Sequence, residues 1–540
     1  MESARRAVTT FRASTAFITF AISYVGTERR GPFHYPRPST DLARSLQAIF
    51  TDQFLFAAVI PVYPYSLEER VGIPKNQLLF WLSILLGVFG LASVLTSLPW
   101  GWYADRTKSR RVPFMIGLLV LLGATLLLWF ARTVAGHIVG RALQGLASVV
   151  VWTSGLAILV DTVGQEHIGE YVGYIGIGLN AGSLVAPFLG GIVFARCGYH
   201  AVFGLITSII VLDIIFRLVM IEKRHRPAAD FTLSTPTPCE TTLELGPSDL
   251  PVNKKQPQLA IDQISLSSQM TLVAQQAATT TTTTTPPQQN TTSPSSIPPI
   301  FRLLACTRFL TSLWGILVLA TVFSGFQATL PLFVHITFQW TSIGSGLIFI
   351  PLSLPSLFGP YIGSLCDRHA NSSRWFAVSG YVIFCASLVA LRLVGRNTPS
   401  QKVLLCGLLG FVGSCMALIL EPLFKEVTER AERLERGDDS IAFNNDVDGE
   451  KGASTTTTTK TTTTGYYGSA YAWFNISWSF GNFIGPLMAG MIMGHAGWKT
   501  MTCALGLLGG VTAIPVGLWC GGWYFASSSS SSSSSRSEEE

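Results

Sequence analysis

The sequence predicts an all-α polytopic membrane protein, with twelve transmembrane helices arranged as two pseudo-repeated six-helix bundles. Three observations carry this reading. Apolar residues make up 48% of the chain and charged residues only 13%, against about 25% charged in ordinary soluble proteins. The apolar residues gather in uninterrupted runs, most of them near the roughly 20 residues a helix needs to cross a bilayer. A charged stretch after the second span, Gly101-Trp102-Tyr103-Ala104-Asp105-Arg106-Thr107-Lys108-Ser109-Arg110-Arg111, returns later as Gly363-Ser364-Leu365-Cys366-Asp367-Arg368, followed by Arg374.

The first span is the irregular one. Ser14–Val25 is an apolar run too short to cross a bilayer. Gly26–Gln47 is charged and proline-bearing, and Ala48–Tyr65 is a second apolar run with Asp52 near its start. Either a short interfacial helix precedes a complete first span, or the two runs are halves of one span split by Gly26–Gln47. The second reading is preferred, because Ala48–Tyr65 alone is barely long enough and carries an acid. An intron retained in the gene model explains such a split. No cleavable signal peptide is expected, since no small-residue cleavage site follows the first apolar stretch.

The N-terminal half, 1–221, continues with spans at 78–100, 112–131, 137–160, 170–195 and 200–221. Residues 222–300 are polar and threonine-rich and read as a disordered linker. The second half, 301–524, repeats the pattern at 309–334, 343–365, 375–395, 402–424, 466–494 and 499–524. An insertion at 425–465 interrupts it, and the serine-rich tail 525–540 is expected to be disordered. Basic loops after spans two, six and eight, with an even span number, place both termini and the linker in the cytoplasm. The net charge of +6 sets orientation and does not mark a nucleic-acid partner.

A second motif confirms the duplication. Gly182, Pro187, Gly190 and Gly191 of the fifth span are matched by Gly481, Pro486 and Gly490 of the eleventh, with Gly198 and Gly497 beyond. The first glycine, the proline, the later glycine and the loop glycine keep the same spacing in both. Such glycines and prolines let helices bend and approach one another closely. The nine cysteines form no metal-binding pattern, and the eight histidines are scattered. Neither a metal site nor an enzyme is expected.

Charges inside spans are costly and mark function by default. Arg141 lies within the fourth span, with Gln144 on the same face. A structural pair to one helix is the plainer reading of Arg141. Asp52 is a candidate proton carrier, or a helix-start cap if the first span is intact. Asp213 and Arg217, four residues apart, read as a neutralising pair. Glu421, beside Pro422, is either an interfacial charge or part of a pocket. Trp152, Phe326, Trp473 and Trp478 are aromatics suited to a flat or cationic substrate, with Trp473 preferred.

Twelve spans in two halves, with Gly-x-x-x-Asp-Arg after the second span of each, resemble the major facilitator superfamily. Gly101–Arg111, Arg141-x-x-Gln144-Gly145 and Gly182–Gly191 resemble motifs of its drug:proton antiporters. Thr51–Leu55 running into Ile60-Pro61-Val62-Tyr63-Pro64, together with Trp152–Asp161, is similar to fungal relatives of the vesicular amine transporters. The resemblance implies a clamp by Gly101, Asp105, Arg106 and Arg110, with Gly363, Asp367 and Arg368 as its weaker copy; topology alone is the plainer reading. It implies that Arg141 and Gln144 tune proton coupling and that Asp52 meets proton or substrate. Gln327 and Asn475 stand where amine-vesicle transporters carry further acids.

The function implied is export of small amphipathic or cationic organic compounds in exchange for protons, by alternating access. A proton symporter or uniporter for a small nutrient, or a non-transporting receptor-like relative, is the alternative. No cofactor is implied beyond the proton gradient. The partners are an organic small molecule, protons and the bilayer. A monomer in the plasma or vacuolar membrane is expected.

Overall fold

A computed structural model describes residues 40–106, 111–163, 168–218, 302–368, 372–435 and 466–520. All regular structure among them is helical, and twelve passes can be traced. The first, α1, is Thr40–Ala58, continued by Tyr63–Ser66 and a wider turn at Leu67–Val71. Then come α2 (Leu78–Arg106), α3 (Arg111–Phe130), α4 (Val134–Val163), α5 (Ile168–Cys197) and α6 (Tyr199–Leu218). The second set opens with α7 (Thr307–Phe338). The eighth pass, α8, runs from Ser342 to Arg368 in four short helical pieces. Next are α9 (Ser372–Ala390) and α10 (Pro399–Glu435). A helical run Tyr466–Trp519 breaks at Gly497 and so supplies α11 before the break and α12 after it.

Composition explains both sides of each helix. Nine described runs are long and apolar enough to cross a bilayer, one of them the double run ending at Trp519, while α1 and α6 have shorter apolar stretches. Large apolar side chains face outward: Val403 is 73% exposed and Phe80 57%, an arrangement that lipid tolerates and water does not. Several hydroxyls bond back within their own helix, as where Thr125 donates to the Leu121 carbonyl at 2.8 Å and Thr321 to Leu317 at 2.8 Å. Unsatisfied polar groups are costly in hydrocarbon. Prolines cause the irregularities: Pro61 and Pro64 interrupt α1, and Pro351 and Pro355 accompany the breaks in α8, because each lacks an N–H for the helix ladder.

The duplication is visible in three dimensions. Gly198 and Gly497 both adopt φ +79°, a backbone conformation open to glycine and rarely adopted by residues with side chains. The aromatic residue after each pins the new helix to an equivalent neighbour. Tyr199 Oη donates to the Leu128 carbonyl of α3 at 2.8 Å. Trp498 Nε1 donates to the Leu391 carbonyl, just past α9, at 3.2 Å. Within the halves α5 packs on α1 and α11 on α7; between them α2 packs on α11 and α5 on α8.

Two boundaries differ from the sequence reading. Thr40–Gln47, the end of the segment read as an insertion, is helical and continuous with Ala48. From Thr40 to Val71 the chain is helical apart from a turn at 59–62, roughly 45 Å at 1.5 Å per residue, enough for one pass. Ser14–Val25 and the rest of Gly26–Gln47 lie outside the described residues. Secondly, α10 continues past 424 to Glu435. Val427, Ala431 and Leu434 are buried there at helical spacing, and Glu426 receives a two-pronged bond from Arg308 at 3.1 and 3.2 Å. The linker 222–300 and the tail from 521 lie outside the described residues.

Candidate substrate and coupling site

A cavity opens between the two halves, and both supply its walls. On the N-terminal side stands Asp52 of α1, 5% exposed. Its Oδ2 accepts hydrogen bonds from Ser148 Oγ at 2.7 Å and Trp152 Nε1 at 3.0 Å, both on α4. Ser148 and Trp152 are one turn apart, so one face of α4 presents both donors to α1. Phe56 and Phe89 complete this wall, their ring centres 4.6 Å apart.

The C-terminal wall is uncharged. Gln327 of α7 is 3% exposed and its Oε1 has no hydrogen-bond partner among the described residues. Asn475 of α11 donates to Ser97 of α2 at 3.3 Å, across the boundary between halves. Ser479 and Asn482 follow on the same face of α11, and Phe323, Phe474 and Trp478 supply aromatic surface. One acid facing several amides and rings suits a compound with a single cationic or protonated group and an apolar body.

Arg141 sits one helical stretch away from Asp52. It is fully buried, its Nη1 donates to Gln144 Oε1 at 2.7 Å, and its Cζ lies 5.2 Å from the Phe56 ring centre, 5.1 Å from Tyr63 and 5.7 Å from Phe89. The carboxyl of Asp52 is held by Ser148 and Trp152, and no ion pair joins it to Arg141 among the described residues.

The glycines of the repeated motif are where helices touch. A side chain at Gly182 meets Gln53 Cβ at 2.9 Å and the Phe50 carbonyl at 3.0 Å, both on α1. One at Gly190 collides with the Ala58 carbonyl, and one at Gly191 with that of Ser342, in α8. In the second half, Gly481 and Gly485 press on α7 at Ala320 and Thr321, and Gly490 presses on Ser83 of α2. Each motif therefore packs its helix against one partner inside its half and one across the boundary. Pro187 and Pro486 lie within these helices.

The halves also meet at the end of the bundle away from the α2–α3 loop. Tyr65 Oη, at the end of α1, donates to the Trp340 carbonyl at 3.0 Å and lies 3.2 Å from His335 Nδ1 and 3.3 Å from Ser345 Oγ. Ser342 Oγ donates to the Gly191 carbonyl at 3.3 Å.

Other expected residues fall elsewhere. Trp473 packs beside the core and is not among the cavity-lining residues; it is two positions from Asn475 on α11 and so lies across the helix. Trp152 and Trp478 line the cavity, whereas Phe326 stacks edge-on against Trp498 at 6.0 Å. Glu421 turns its carboxylate toward Gly359 and Gly363 of α8, while its neighbour Leu420 lines the cavity. Asp213 is buried, and the Arg217 side chain lies outside the described residues. So do the side chains of Asp105, Arg106, Arg110, Asp367 and Arg368; a side chain at Gly101 meets no atom within 4 Å. Ser148 was not singled out from the sequence, although its position four residues after Gln144 was the available signal.

Two helical halves lining a cavity of mixed polar and aromatic side chains, within an apolar exterior, are the architecture of a membrane transporter. Comparison with known proteins gives the family: residues 47–433 match the family model described as Major Facilitator Superfamily, and the chain belongs to that superfamily. It is 32% identical to the uncharacterized MFS-type transporter C18.02 of Schizosaccharomyces pombe, over 85% of this chain and 91% of that protein. It is 23% identical to a Danio rerio protein named probable vesicular acetylcholine transporter-B, over 85% of this chain and 75% of that one. The crystal structure of the human organic anion transporter MFSD10 (TETRAN) aligns with a TM-score of 0.54 at 15% identity, covering 89% of this chain and 100% of that one. These relatives are transporters, not enzymes.

Proposed function

We propose that the protein exports small amphipathic or cationic organic compounds in exchange for protons, by alternating access between its halves around the Asp52 cavity. The observation that carries this is the placement of Asp52: a buried carboxyl, and the one acid among the described lining residues of a cavity walled by both halves. An acid there binds either a proton or a substrate cation, and competition for it couples their movements. Relatives named as a vesicular acetylcholine transporter and as a multi-drug resistance efflux pump support the reading. The α2–α3 loop, with Asp105, Arg106 and Arg110, is the cytoplasmic clamp in this scheme. Both termini face the cytoplasm, in the plasma or vacuolar membrane, and the working unit is a monomer.

A symporter or uniporter for a small polar nutrient is the second reading, favoured by the uncharged amide wall at Gln327 and Asn475. Vesicles with an acidic interior decide between them. Lipophilic cations accelerate proton loss from vesicles holding the wild type and not from those holding Asp52→Asn, if the first reading is right. Absence of stimulation by any cation, in folded protein, favours the second.

A further inference from the structure

A buried basic cluster lies inside the N-terminal half, apart from the substrate cavity. Arg141 and His137, one turn apart on α4, face Tyr63 of the first pass, and Arg70 follows at the end of that pass. Arg141 is fully buried, Tyr63 1% exposed and His137 2%, and none of the four residues is among those lining the cavity. Arg141 Cζ lies 5.1 Å from the Tyr63 ring centre, and the Tyr63 and His137 rings are 6.3 Å apart. The positive charges of Arg70 and Arg141 both act on His137. Arg70 Cζ lies 3.9 Å over the ring of Tyr199, at the start of α6.

The cluster has no negative charge of its own. No carboxylate among the described residues pairs with either arginine: Asp52 is held by Ser148 and Trp152, Glu68 pairs with Lys75 at 3.3 Å, and Glu69 is exposed. Gln144 and three ring faces meet Arg141, and none of them carries a counter-charge. Buried charges are normally paired and buried polar atoms hydrogen-bonded. Here Arg141 Nε, Arg141 Nη2, Arg70 Nη1 and Tyr63 Oη are buried and have no hydrogen-bond partner among the described residues. All four can donate, and three belong to cations. His137 Nδ1 donates to the Thr133 carbonyl at 2.9 Å, so its ring brings no negative charge either. Water would satisfy these donors but leave both charges uncompensated; an anion does both.

We propose that this cluster is a binding site for a small monovalent inorganic anion of the chloride class, with Arg141, Arg70 and Tyr63 as its donors. Arg70 is half-buried, and Glu69 and Gly72 beside it are exposed, so the ion enters from the surface at the end of the bundle away from the α2–α3 loop. Once bound, it ties the first pass to α4, the two elements that also hold the Asp52 carboxyl. It does so whichever compound the cavity carries.

Binding of radiolabelled chloride to the purified full chain tests the site, with gluconate as the replacing anion. The wild type is expected to bind chloride saturably and to unfold at a higher temperature in chloride than in gluconate. Tyr63→Phe removes one hydroxyl and Arg70→Gln one charge. Each is expected to weaken chloride binding about tenfold or more, the loss of one hydrogen bond to an ion, and to shrink the chloride-dependent rise in unfolding temperature. Arg70→Lys keeps the charge and is expected to bind more tightly than Arg70→Gln. Absence of saturable binding by folded wild type overturns the site and leaves water as the partner of these donors. Chloride binding of unchanged strength in either folded variant, Tyr63→Phe or Arg70→Gln, places the ion elsewhere and overturns it equally. Neither result bears on the reading of Asp52, which proton-coupled flux tests on its own.

Discussion

Ser148 Oγ donates to Asp52 Oδ2 at 2.7 Å, joining α4 to α1 at the one acid of the described cavity lining. Hydrogen bonds to a charged group contribute about 1.5–3 kcal/mol, and Trp152 adds a second at 3.0 Å. Ser148→Ala is therefore expected to lower coupled transport by about tenfold or more without changing the thermal stability of the purified protein by more than a few degrees. Transport assays paired with thermal unfolding in detergent check both halves of that statement.

Arg141 is enclosed by three rings and bonded to Gln144. Burying an ion carries a penalty on the order of several kcal/mol, which Arg141 offsets within the described chain only through Gln144 and the faces of three rings. Arg141→Met is accordingly expected to fold with an unchanged or raised unfolding temperature and to lose proton-driven transport. A variant that is both unstable and inactive would reduce Arg141 to a packing role.

Tyr65 ties the end of α1 to Trp340, His335 and Ser345 in the other half. Its hydroxyl stabilises contact between the halves at that end by about 0.5–1.5 kcal/mol per bond. Tyr65→Phe is expected to shift the population toward opening there by up to about tenfold. Reactivity of a cysteine placed at Ser345 with a water-soluble thiol reagent should rise in that background. Unchanged reactivity argues that the network is incidental.

Gly182 and Gly481 occupy matching positions of the repeat, each pressed against the first helix of its half, at the Phe50 and Leu317 carbonyls. Overpacking such contacts costs about 1–3 kcal/mol or more. Gly182→Val and Gly481→Val are expected to reduce folded yield and unfolding temperature to a similar degree. A large effect from one alone would show that the halves do not pack equivalently.

The features readable from the sequence were those with local periodicity. Repeated glycine spacing foretold the contacts of α5 and α11, and Gly198 and Gly497 share one backbone angle. Asp52 and Arg141 stood out because charges in apolar runs are few. The partners of Asp52 were not legible: Ser148 and Trp152 are 96 and 100 residues away, and ordinary polar or aromatic residues carry no sign of what they face. Trp473 was preferred over Trp478 because composition does not give helix phase, and Asn475, Trp478 and Ser479 fix the phase only once the cavity is seen. Glu421, open between an interfacial charge and a pocket acid in the sequence, turns its carboxylate to the glycines of α8.

Proton release on substrate binding tests the central claim most directly. Tetraphenylphosphonium is added to the purified protein in weakly buffered detergent near neutral pH, with a pH-sensitive dye as readout. If Asp52 holds either a proton or a cation, binding releases up to about one proton per bound cation, and Asp52→Asn abolishes the release and weakens binding. Binding of equal strength in wild type and Asp52→Asn, with no proton released by either, would contradict the account.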